Sequence, residues 1–148
     1  ASIDPDPLPD LGEHVIDYAL VPHAADWAVG DMTRAGEDFN VPMVVLSSDF
    51  HTGDLPPAEA LVAVEPKNVR LTALKCAEDG DGLVLRLVEV EGADTEATVA
   101  LSPALLDEDA AATVTDTLEH PIDSALVISD DTLTVSVPAF GIRTVRIG

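Results

Sequence analysis

From position 60 to its end the chain alternates apolar and polar residues in one short stretch after another, and that alternation narrows its fold more than any other feature. The stretches ALVAVE, VRLTALKCA, GLVLRLVEVE, ATVALS, AATVTDTLE, ALVIS, TLTVSV and IRTVRI each carry the period of two expected of a half-buried β-strand. Gly, Pro, Asp and Ser separate most of them, which supplies turn chemistry between strands. Short strands at regular spacing with such turns predict an antiparallel sandwich. A parallel α/β architecture is excluded, because no helical crossovers lie between the strands. The expected fold class is mainly β: an antiparallel β-sandwich with one short helix near the N-terminus.

The first third of the chain is less regular. Residues 1–12 show no periodicity and read as a lead-in. HVIDYALVP alternates Ile16, Tyr18 and Leu20 against Val15, Asp17, Ala19 and Val21 and stops at Pro22, which predicts a strand. Ala24, Trp27, Met32, Ala35 and Phe39 recur at helical separations, broken by Gly30 and Gly36, and predict a short, imperfect helix over about 25–38. A strand-like apolar patch follows at 43–46, then a loop ending in Pro56 and Pro57. That loop divides the chain into residues 1–55 and 56–148.

Charge bounds the partners. The 28 Asp and Glu against 7 Lys and Arg leave a formal charge of −21, spread along the chain instead of gathered in a tail. Such a surface repels DNA, RNA and anionic membranes. Only two of the cations are lysines, and the apolar 47% is mostly Ala, Val and Leu, with five aromatic residues in all. This balance resembles the proteome of a salt-in halophile, a haloarchaeon, whose molar salt shortens the Debye length to about 3 Å and mutes self-repulsion. No stretch approaches the roughly 18 apolar residues of a membrane span, and no basic and apolar leader opens the chain. The expected location is cytoplasmic. The single Cys76 excludes an internal disulfide framework and, alternating with Leu74, is expected as a small core residue.

Few motifs carry chemistry. EDGDG at 78–82 packs three carboxylates around two glycines, but Leu83, Leu85 and Leu87 occupy the positions where a calcium loop needs oxygens. Asp-Gly between alternating runs instead predicts a hairpin turn over 79–82. No carboxylate pair among the 28 stands out by motif as a glycosidase pair. The four histidines, His14, His23, His51 and His120, show no metal-ligand spacing, and His14 and His23 lie about 30 Å apart on an extended chain. Trp27 reads as a core anchor or a sugar-stacking face. Arg86 points opposite Leu85 and Leu87 and is expected to pair with Glu89 or Glu91.

Several stretches together resemble the C-terminal region of glycoside hydrolase family 38 α-mannosidases. DLGEHVIDYALVPHAADW is similar to the family's Asp-x-Gly-x-His opening and Tyr-Ala-Leu-x-Pro-His run, and FNVP to its Asn-x-Pro. NVRLTALKCAEDGDGLVLRLVEVEG resembles its Asn-Val strand, acidic hairpin and Leu-x-Leu-Arg-Leu-x-Glu strand. VPAFGIRTVRIG resembles its terminal strand, with Ala139, Phe140 and Gly141 standing where the family tends to have Phe-Glu, and Val88 where an aromatic is common.

The resemblance implies a division of labour. In that family the catalytic Asp and the zinc ligands belong to an amino-terminal α/β domain, so zinc is expected there and no cofactor in this chain. Residues 1–55 would be the end of the family's supersandwich with a connecting helix, and 56–148 its closing sandwich. The irregular start and absent initiator methionine fit a carboxy-terminal fragment. The expected function is a non-catalytic module of a zinc-dependent, retaining α-mannosidase, inactive alone, with His14, His23 and Trp27 at an interdomain contact or sugar rim. Expected partners are the rest of that chain, a mannosyl glycan through the intact enzyme, and a second copy pairing at an exposed strand edge. The alternatives are a free-standing carbohydrate-binding sandwich and a purely structural interaction domain.

Overall fold

The computed structural model describes residues 11–27, 31–53, 56–107 and 109–148, with only the backbone at 123 and 124. The chain falls into two units, Ala1–Leu46 and Ser47–Gly148.

Among the described residues the second unit holds eight strands: β1 Val62–Glu65, β2 Val69–Cys76, β3 Leu83–Glu89, β4 Thr95–Leu101, β5 Ala112–Thr115, β6 Pro121–Leu126, β7 Thr132–Val137 and β8 Ile142–Ile147. Every pairing is antiparallel. One sheet runs β1-β4-β7 and the other β2-β3-β8-β5-β6, which is the expected mainly β sandwich. Alternation becomes layering: Ala97, Val99 and Leu101 of β4 and Leu133, Val135 and Val137 of β7 face Leu85, Leu87, Val145 and Ile147 in one buried cluster. Each such aliphatic side chain contributes roughly 1.5–3 kcal/mol on leaving water. None of the cluster is aromatic, so its density rests on interdigitated Val, Leu, Ile and Ala.

The turn expected at 79–82 joins β2 to β3. Ala77 N–H donates to Gly82 O at 3.0 Å and Gly80 N–H to Ala77 O at 2.9 Å. Gly82 has φ +87, and a Cβ there would stand 2.1 Å from the carbonyl oxygen of Ile147, so only glycine lets the hairpin close on the end of β8.

Three expectations in this unit need correction. Cys76 is exposed, not a core residue. Past the bulge between Leu71 and Ala73, Leu74 and Cys76 pair with Leu85 and Leu83 on the core face, but they lie at the end of an edge strand, where Leu74 also stays accessible. The strand expected to run to residue 119 stops at Thr115, because the Asp116 carboxylate accepts N–H groups of Leu118 and His120 and closes a turn. β6 accordingly begins at Pro121 and ends at Leu126, earlier than ALVIS suggested.

In the first unit the helix α1 spans Met32–Asn40, later than the expected 25–38, and starts after Asp31, whose φ of 51 is left-handed. The strands expected over 14–21 and at 43–46 do not form. No described residue of that unit offers them a backbone ladder, and Leu20 and Val45 are each 87% exposed. Ala19, Val21, Met32, Ala35, Gly36 and Phe39 line a shallow cavity of about 290 Å³.

Candidate functional site

Glu89 closes β3 on the same face as Leu85 and Leu87, so strand alternation aims a carboxylate inward, where it is 1% exposed. A buried carboxylate needs donors. Its Oε1 accepts from Asn68 Nδ2 at 2.9 Å and Glu91 N–H at 2.8 Å, and its Oε2 from Gly92 N–H at 2.7 Å and Phe140 N–H at 2.9 Å. Asn68 also donates to Thr95 Oγ1 at 2.8 Å, which in turn donates to the Ala93 carbonyl at 2.9 Å. Burial pushes the Glu89 pKa up, but the hydrogen bonds from Phe140, Asn68, Glu91 and Gly92 outweigh it and hold the group at about 2. A general acid for neutral pH needs the opposite shift. Glu89 is therefore a permanently charged tie that draws the loop after β3 and the β7–β8 turn to one pole of the sandwich.

That pole presents an aromatic ring. Phe140 is the only aromatic residue after position 50 and is 69% exposed. Its φ of 52 is left-handed, an uncommon conformation for a bulky residue. Gly92 lies beneath the ring, where an added Cβ would stand 2.6 Å from Cε2 and Cζ.

The opposite face of the five-stranded sheet holds an ionic clasp. Lys75 bonds Glu78 and Glu119, the latter at 2.8 Å, and Glu119 also accepts the Glu78 N–H at 2.7 Å. Arg146 donates to both oxygens of Asp79 at 2.8 and 3.1 Å and reaches Asp81 at 3.4 Å. The Asp79 pKa is lowered by the Asp81 N–H and then by Arg146, and that of Glu119 by Lys75 and then by the Glu78 N–H. The acidic hairpin loop is thus occupied by the protein's own cations. Arg86 belongs to this face and pairs with neither Glu89 nor Glu91. It donates to the Thr117 carbonyl at 3.1 Å and lies 3.5 Å from Thr144 Oγ1. The correction follows from parity, since residues three apart on a strand point to opposite faces.

His14, His23 and Trp27 all lie in the first unit. His14 and His23 are exposed on irregular backbone, and Trp27 is 43% exposed, with its backbone N–H donating to Asp26 Oδ1 at 2.6 Å. His51 and His120 belong to the second unit, where His120 Nδ1 sits 3.3 Å from Asp116 Oδ2. Among the described residues no three His, Cys, Asp or Glu side chains gather to hold a metal ion. Nor do they offer a zinc-like donor set.

No motif or spacing in the sequence marks Glu89 and Phe140 as a pair. The available signal was parity: a Glu in the register of two buried leucines demands donors. Residues 68–145 match the model of the glycosyl hydrolases family 38 C-terminal beta sandwich domain, a stretch that begins at Asn68 and contains the whole Glu89 knot. No curated protein and no solved structure gives a significant match.

Proposed function

We propose a function from one premise: the chain belongs to the glycosyl hydrolase family 38 C-terminal beta sandwich domains. It is a non-catalytic module of a zinc-dependent, retaining α-mannosidase and supports the part of the enzyme that carries the reacting groups. The observation that carries this reading is the family match over 68–145. The chemistry of the best-defined carboxylate agrees with it, because Glu89 is buried, ionised and fully engaged. Zinc in such an enzyme is held by residues outside this chain.

Within that enzyme, residues 1–55 finish the preceding β-structure and 56–148 form the closing sandwich. The exposed apolar runs at 14–21 and 43–46 suit strands that complete a sheet elsewhere in the enzyme or in a second copy. His14, His23 and Trp27 then sit at an interdomain contact or the sugar rim. The charge of −21 fits a cytoplasmic protein of a salt-accumulating cell.

The test is hydrolysis. The isolated chain, supplied with zinc and an aryl α-mannoside, is expected to show no turnover above buffer. Turnover that disappears with chelator would overturn the module reading.

A further inference from the structure

The placement of Phe140 runs against the ordinary use of an aromatic ring. A phenylalanine contributes most when buried, yet the core cluster is wholly aliphatic and this ring stands 69% exposed. Its backbone is held in the left-handed region at φ 52. Such strain persists only where the surroundings over-determine it, and it concentrates at functional positions.

The surroundings do so here. Phe140 N–H is tied to Glu89 Oε2 at 2.9 Å and Ala139 N–H to Asp94 Oδ1 at 2.9 Å. Gly92 backs the ring closely enough that a Cβ would collide with it. The ring is thus pre-set, with one side supported and most of its surface in water.

We propose that Phe140 is the stacking platform of a subsite for a neutral hexopyranose, such as a terminal mannosyl unit, at the pole formed by residues 91–94 and 138–141. A sugar ring lays its C–H face on an aromatic face and offers hydroxyl donors around the edge. Asp94 flanks the platform as an acceptor for them, with one carboxylate oxygen beyond that used by Ala139. A neutral ligand meets no repulsion from a chain of charge −21. The scale also favours a sugar: one aromatic side chain offers about 150–250 Å², while a stable protein interface takes about 800 Å² per partner.

The subsite rests on the glycosidase reading but is tested separately. The full chain, isotope-labelled, is titrated with methyl α-mannoside and mannobiose while amide shifts are followed by NMR. Saturable millimolar shifts are expected at residues 92–94 and 139–141. Phe140→Ala should abolish them and Phe140→Trp preserve them. Phe140→Gly, which relieves the backbone, should also abolish them while the chain melts no lower than the parent. Shifts that survive Phe140→Ala, map to Trp27, or never saturate would overturn the subsite. So would silence toward sugar combined with a dimer that Phe140→Ala dissociates, which would make the patch a protein contact. Hydrolysis by the isolated chain would overturn the module reading and leave the outcome at Phe140 standing.

Discussion

Residues 14–21 and β4 are written in much the same way, and they end in opposite states. Both alternate, both are rich in aliphatic side chains, and both are short. In β4 the inward row Ala97, Val99 and Leu101 is buried between sheets, with β1 on one side and β7 on the other. Over 14–21 the side chains of Val15, Ile16, Tyr18 and Leu20 remain exposed and the backbone forms no ladder. Alternation describes what a strand can bury. Whether it becomes a strand depends on a neighbouring edge, because the hydrogen bonds of a sheet are never made within one strand.

The largest effect that tests this contrast is a truncation in the core. Leu87→Ala removes a fully buried side chain and should destabilise the sandwich by about 2–5 kcal/mol in a denaturant melt. The matching Ile16→Ala should stay within about 0.5 kcal/mol, and a comparable loss there would show that 14–21 is packed after all.

Next comes the knot. The Glu89 pKa is about 2 against an ordinary 4.5. Its stabilisation is therefore complete above about 4.5 and is lost as pH falls through about 2. Glu89→Gln should cost on the order of 3 kcal/mol at neutral pH and flatten the acid limb of a stability–pH curve. An unchanged acid limb would mean that the donors around Glu89 rearrange.

A smaller effect belongs to the clasp. Asp79→Asn removes the two-bond contact with Arg146 on an accessible surface. The variant should melt lower than the parent in dilute buffer, and the gap should close in multimolar KCl, where exposed ion pairs are screened. The parent itself should melt higher in that salt, since its charge of −21 is then muted. Equal melts in both media would sink the salt-adapted reading.

The smallest effect is expected from deletion of residues 1–46. If the strands of 56–148 form a self-sufficient core, the remaining chain should melt within about 0.5 kcal/mol of the full one. A large loss would show that the first unit supports the sandwich.

Much of the second unit was legible beforehand. The β7 and β8 stretches coincide with the observed Thr132–Val137 and Ile142–Ile147, and the Asp-Gly turn lies where the hairpin closes. The misses have a common cause. Cys76 lies at the end of a strand that only the sheet order places at an edge, and Arg86 finds a carbonyl 31 residues away. The knot was half visible, since a Glu in phase with Leu85 and Leu87 has to be satisfied. Its donors at Asn68 and Phe140 lie 21 and 51 residues off, beyond the reach of any local pattern.

By itself, then, the sequence determined the period of each strand, the site of the first hairpin, the acidic surface and, through its strung motifs, the family. These follow from neighbours along the chain, because side-chain alternation and turn preference are local properties. Only the tertiary structure decided the order β2-β3-β8-β5-β6, the burial of Glu89 and the display of Phe140 on the glycine beneath it. Each of those is a contact between distant segments, made when two sheets close over a shared core.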